Sequence, residues 1–165
     1  MLSILQNILL FIVLVLSQVL VLNNIQFLGF INPYIYILFI LSLPAKLPRW
    51  FVLVLGFCLG FVIDIFSNTL GIHIFATVLV AYLRSFVIQL FTSIDEGNNP
   101  IPSFHSFGVG AYIKYVVALV VLHHTALFFI EAFSFSHLGL IPLKILMSSS
   151  ITILLILGLK SMHRK

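Results

Sequence analysis

Charge is what this sequence has least of. Eight Lys and Arg with four Asp and Glu make up 7% of its 165 residues, where an ordinary soluble domain of this length would carry about 41 charged residues. So few charges cannot cover a soluble surface. Paired cysteines are missing too: Cys58 stands alone in an apolar run, so it can close no intrachain disulfide and its expected role is packing. There is no H-E-x-x-H, no G-x-S-x-G and no phosphate-binding loop, so the sequence predicts no catalytic residue, no metal site and no cofactor. The basic residues lie singly at Lys46, Arg49, Arg84, Lys114, Lys144 and Lys160, with Arg164 and Lys165 at the end. That scatter excludes a nucleic-acid-binding stripe.

What fills the chain is apolar. Hydrophobic residues reach 62%, 17 are Phe, and the mean hydropathy is +1.26. A membrane-spanning helix needs about 20 apolar residues, so six would consume about 120 and leave no room for a separate soluble domain. Irregular chain and open sheets leave backbone groups unpaired in lipid, and the apolar runs lack the alternation of an outer-membrane barrel. The reading is therefore an all-α integral membrane protein, one bundle of about six transmembrane helices.

The spans are expected at about 4–22, 27–43, 50–66, 70–91, 110–133 and 138–159. The first has no basic flank or small-residue cleavage site and reads as a retained span rather than a removable signal. The second is awkward, because Pro33 to Leu43 is only 11 residues, or about 16 Å of helix. Either the helix starts near Phe27 and kinks at Pro33, or residues 25–32 lie along the interface before a short span. Residues 92–109 are the one long polar, turn-rich stretch and form the expected main loop. Lys46, Arg49, Lys114, Lys160, Arg164 and Lys165 all fall on one side of this arrangement, which predicts cytoplasmic termini and a cytoplasmic main loop.

Polar residues within the spans need reasons, since a charge at a helix centre costs about 2.5 to 3.5 kcal/mol on insertion scales. Gly56, Gly60 and Asp64 recur every four residues and share one helix face, a candidate packing seam or partner-binding face with which Gly71 is grouped. His73, Thr77 and Arg84 fall within about 40° of one another on span four. Arg84 is expected to snorkel toward the cytoplasmic side, too far along the helix to pair with Asp64. His123, His124 and Glu131 on span five, and Lys144, Ser148 and Thr152 on span six, extend this candidate polar interior. An ion pair between Glu131 and Lys144 would lessen the cost of both.

The run from Gly60 to Leu83, GFVIDIFSNTLGIHIFATVLVAYL, resembles the core pattern of the rod shape-determining protein MreD family. The matching positions are Gly60, Asp64, Ser67, Leu70, Gly71, Ala76, Tyr82 and Leu83, and the run departs from the family at Asn68, where members often have a second small residue. The resemblance covers these 24 residues in motif and the whole chain in size and span number. It implies a non-enzymatic component of the bacterial inner membrane that binds the membrane-anchored protein MreC. Such a component belongs to the cell-elongation machinery and helps couple MreB filaments to side-wall peptidoglycan synthesis. The helical arrangement of that family is similar to the substrate-binding subunits of vitamin transporters. A vitamin or small-solute uptake subunit is thus the alternative, and a structural helper of another membrane complex is a third reading. An uptake subunit needs a polar and aromatic cavity open to the outside, whereas an assembly factor needs a helix face that a partner covers.

Overall fold

A computed structural model describes residues 4–25, 31–94, 98–133 and 140–162 of the chain. Among them the regular structure is helical. Five stretches are long and apolar enough to cross a bilayer: Ile4–Asn24, Arg49–Ser67, Ile72–Phe91, Val109–Ala132 and Ile141–Met162. This is the architecture of a multi-pass helical membrane protein. Large apolar side chains face outward around it, with Leu9 59%, Phe86 59% and Leu154 70% exposed, while His123, His124, Thr77 and Thr152 are fully buried. Lipid-facing apolar chains around a paired polar interior invert the soluble pattern.

The first helix, α1 (Ile4–Leu16), continues through a π-helical turn at Ser17–Val21 and a 3-10 turn at Leu22–Asn24. The remaining long helices, α3 (Arg49–Ser67), α4 (Ile72–Phe91), α6 (Val109–Phe133) and α7 (Ile141–Met162), pack in sequence order, each against the next. Short α5 (Phe104–Phe107) lies within the main loop and is capped by Ser103, whose Oγ accepts the Ser106 N–H at 3.2 Å.

The expected second span is the main correction. Its start falls in residues 26–30, outside the described residues, and the remainder is not a long helix. After an irregular stretch at 32–34 come a 3-10 turn, Ile35–Ile37, and a single helical turn, α2 (Leu38–Leu41). Every residue from Pro33 to Leu43 is buried. The segment runs from Gln18, whose side chain bonds Pro33 and Ile35, to the main loop, where Ala45 N donates to Pro100 O at 2.9 Å. Non-helical chain at membrane depth is tolerated where protein surrounds it and pairs its backbone, and both conditions hold here.

The α3–α4 hairpin closes over four residues, Asn68 to Gly71. Asn68 ends α3 at φ 54° and Gly71 precedes α4 at φ 87°. Left-handed backbone at a helix C-terminus favours Gly, then Asn, so Asn68 suits its position despite departing from the family pattern. Cys58, expected to pack, is exposed on the outer side of α3.

Candidate functional site

The glycine seam is filled from within the chain. A Cβ added at Gly60 would lie 2.5 Å from Ile74 Cα and 2.5 Å from Thr77 Oγ1, and one at Gly56 would meet Ala81 Cβ at 3.0 Å. Helix α4 therefore occupies the face that could have received a partner, and backbone proximity is what the two glycines provide. Thr77 Oγ1 lies 2.8 Å from the Gly56 carbonyl and 2.8 Å from that of His73, so its hydroxyl links α4 to α3 across the seam. Gly71 is not part of the seam. Its surroundings are open, and its positive φ serves the turn.

Asp64 works from α3 upon α4. One carboxylate oxygen accepts the His73 N–H at 3.1 Å and a short bond from the Thr69 hydroxyl, and the other accepts the Ile74 N–H at 2.9 Å. The first N–H groups of a helix lack intrahelical partners and lie at the positive end of its dipole. A carboxylate supplied from the neighbouring helix satisfies two of them, which explains how Asp64 can be 4% exposed in an apolar bundle.

Arg84 is buried rather than snorkelling, at 1% exposure. Its Nε donates to Tyr115 Oη at 3.0 Å, Nη1 to the Pro44 carbonyl at 3.3 Å, and Nη2 to the Leu43 carbonyl in a short bond. Tyr115 in turn donates to the Leu41 carbonyl at 3.1 Å. These carbonyls lie at and just beyond the end of the one-turn helix α2, where no helical partner is available, so the guanidinium is held by the segment's own unpaired acceptors.

At the other end of the same segment, side chains from α1 and its continuation and from α7 do the pairing. Gln18 Nε2 donates to Pro33 O at 3.0 Å and to Asn23 Oδ1 at 2.9 Å, while its Oε1 accepts the Ile35 N–H at 2.9 Å. Tyr34 N donates to Thr152 Oγ1 at 3.0 Å and Asn32 N to Ser148 Oγ at 3.1 Å. His124 Nδ1 lies 2.9 Å from the Val120 carbonyl, which can only accept. That nitrogen therefore carries a proton, and the Thr152 hydroxyl, 3.2 Å from His124 Nε2 and 2.9 Å from the Ser148 carbonyl, has one proton for these two neighbours.

Between these ends, Tyr36 Oη lies 2.7 Å from His73 Nδ1 and 2.8 Å from His123 Nε2. The phenol has one proton to give, so one of these nitrogens accepts it and the other must donate in return. His123 Nδ1 is buried without a hydrogen-bond partner among the described residues. The Tyr34 ring stands among the rings of His73, His123 and His124, with centroids 5.4 to 6.0 Å away.

This end of the bundle contains a cavity of about 430 Å³. Asn23, Asn32, Tyr34, Thr69, His73 and Glu131 are among its lining residues, with Phe66 and Leu127 on its apolar walls. The expected pairing of Glu131 with Lys144 is not formed: the Lys144 ammonium stands 6.0 Å from the centre of the Phe128 ring. Of the residues singled out by sequence, His73, Thr77, Arg84 and His124 are thus brought into one buried interior with Asp64 behind α4, while Glu131 borders the cavity and Lys144 stays outside it. Sequence reasoning misses Gln18, Tyr34, Tyr36 and Tyr115. The signals that could find them are a glutamine late in the first span, after the apolar run 8–16, and tyrosines spaced by two directly after Asn32-Pro33. No family model, no curated protein and no solved structure matches the chain.

Proposed function

We propose that this chain is a non-enzymatic, MreD-like component of the bacterial cell-elongation machinery. It would bind an MreC-like membrane-anchored protein and help couple MreB filaments to side-wall peptidoglycan synthesis. The observation that carries the reading is the coincidence of the family-like run with one structural unit. Gly60 to Leu83 spans the turn and the adjoining parts of the hairpin of α3 and α4, and several of its matching positions have a task there. Gly60 admits α4, Asp64 caps it, Ser67 accepts a hydrogen bond from Asn23 at 3.1 Å, Gly71 forms the turn and Ala76 is fully buried.

In this reading the chain lies in the inner membrane with both termini cytoplasmic. The basic end, with Lys46, Arg49, Lys114 and Lys160, and the main loop face inward. With the glycine seam occupied by α4, partner contact passes to outer faces, of which that of the first span is the least buried. Purification from detergent-solubilised membranes, followed by identification of co-purifying proteins, tests this. A membrane-anchored protein of the elongation machinery is the expected partner, and its absence from a complex that retains other membrane proteins would count against the proposal.

One observation favours the second reading, a solute-uptake subunit. The cavity is polar and aromatic in lining and lies at the end opposite those four basic residues, as an outward-facing binding site requires.

A further inference from the structure

The cavity beside Tyr34 has a chemistry of its own, whichever larger assembly the chain serves. Its side chains offer acceptors and apolar walls but no permanent positive charge: neither Lys nor Arg lines it. The Asn32 Oδ1 atom is buried without a hydrogen-bond partner, and the half-buried Glu131 carboxylate has no ion-pair partner among the described residues. A carboxylate beside an apolar wall, with no counter-charge among the described residues, favours a cationic partner. Tyr34, itself 7% exposed, adds an aromatic side chain to the lining.

We infer that this cavity is a binding site for a small organic ammonium ion. The ammonium group would pair with Glu131, and its carbon frame would lie against Phe66 and Leu127. An anion would meet Glu131 with no counter-charge, and a neutral solute would leave that carboxylate uncompensated. The volume of about 430 Å³ falls in the lower part of the range for small-molecule sites, about 300 to 1,000 Å³, and suits one ring or a short chain. The assignment goes beyond the elongation reading and does not depend on it, and it supplies the solute-uptake reading with a ligand class.

The test uses the full chain in nanodiscs of phosphatidylcholine, with 2-phenylethylammonium at neutral pH as the probe and 2-phenylethanol and phenylacetate as matched neutral and anionic controls. The ammonium should bind by calorimetry and raise the thermal unfolding midpoint, the alcohol should bind at least about tenfold more weakly, and the acid should not bind. Glu131→Gln should weaken ammonium binding by about tenfold or more and, because it removes a charge with no counter-charge, should not lower the unliganded midpoint. Asn32→Asp, which adds a second negative charge and keeps the backbone bond to Ser148, should strengthen it. Equal binding of all three probes, no binding of the ammonium, or undiminished binding by Glu131→Gln would overturn the assignment. None of these readouts involves cell shape, so failure here is distinct from failure of the elongation reading.

Discussion

Asp64 Oδ2 accepts the backbone N–H of Ile74 at 2.9 Å, ten residues further along the chain. One carboxylate thereby fixes where α4 starts, how it is turned against α3, and how tightly the hairpin closes over Asn68 and Gly71.

Replacing Asp64 separates insertion from folding. Asp64→Leu removes the cost of carrying a charge into the apolar region, so the amount of chain in the membrane fraction should not fall. It also strips the His73 and Ile74 N–H groups and the Thr69 hydroxyl of their acceptor, which should cost about 3 kcal/mol of folding stability. Thermal unfolding in mixed micelles reads this, and an unchanged midpoint would show that the cap contributes nothing.

The two seam glycines should differ in sensitivity. At Gly60 an added methyl meets Ile74 backbone at 2.5 Å, whereas at Gly56 the nearest atoms are at 3.0 and 3.2 Å. Gly60→Ala should therefore push the helices apart and destabilise by about 1 to 3 kcal/mol, the overpacking range, and Gly56→Ala by less. Comparison of the two unfolding midpoints checks the order.

The buried segment should depend on its side-chain partners more than on its own helical turn. Gln18→Leu leaves Pro33 O and Ile35 N–H unpaired, and Arg84→Leu removes the donor to the Leu43 carbonyl and leaves Pro44 O only the Leu47 N–H at 3.4 Å. Each should cost about 2 to 4 kcal/mol. Hydrogen exchange at Ile35 should accelerate in Gln18→Leu. Protection equal to that of the unaltered chain would mean that the glutamine is dispensable.

The seam on α3 and the stripe on α4 are readable from sequence because they rest on spacing within one helix: Gly56, Gly60 and Asp64 share a face at any helix's period. The buried segment after Pro33 is not readable, because the partners that make irregular backbone tolerable are distant. Asn32 and Tyr34 are paired by Ser148 and Thr152, more than 110 positions away, and no local pattern announces them. Arg84 defeats a local reading for a related reason. Its length and position suit snorkelling, and only the distant partners Tyr115, Leu43 and Pro44, brought in by the fold, give it a reason to stay inside. For Glu131 and Lys144 opposite charge alone suggests a pair, but the lysine turns to the Phe128 ring.

Topology rests on the basic end. A reporter active only outside the cytoplasmic membrane, fused after Lys165, should remain silent, whereas one inserted in the α3–α4 turn after Asn68 should be active. The opposite pattern would invert the orientation and place the cavity on the cytoplasmic side.

The most direct measurement tracks cell width while the chain is depleted from a rod-shaped host, with uptake of radiolabelled vitamins recorded in the same culture. The elongation account predicts rounding, loss of side-wall growth and no rescue by added nutrients, with uptake retained per unit of cell surface. Normal width with lost uptake and growth restored by a concentrated vitamin supply would contradict it.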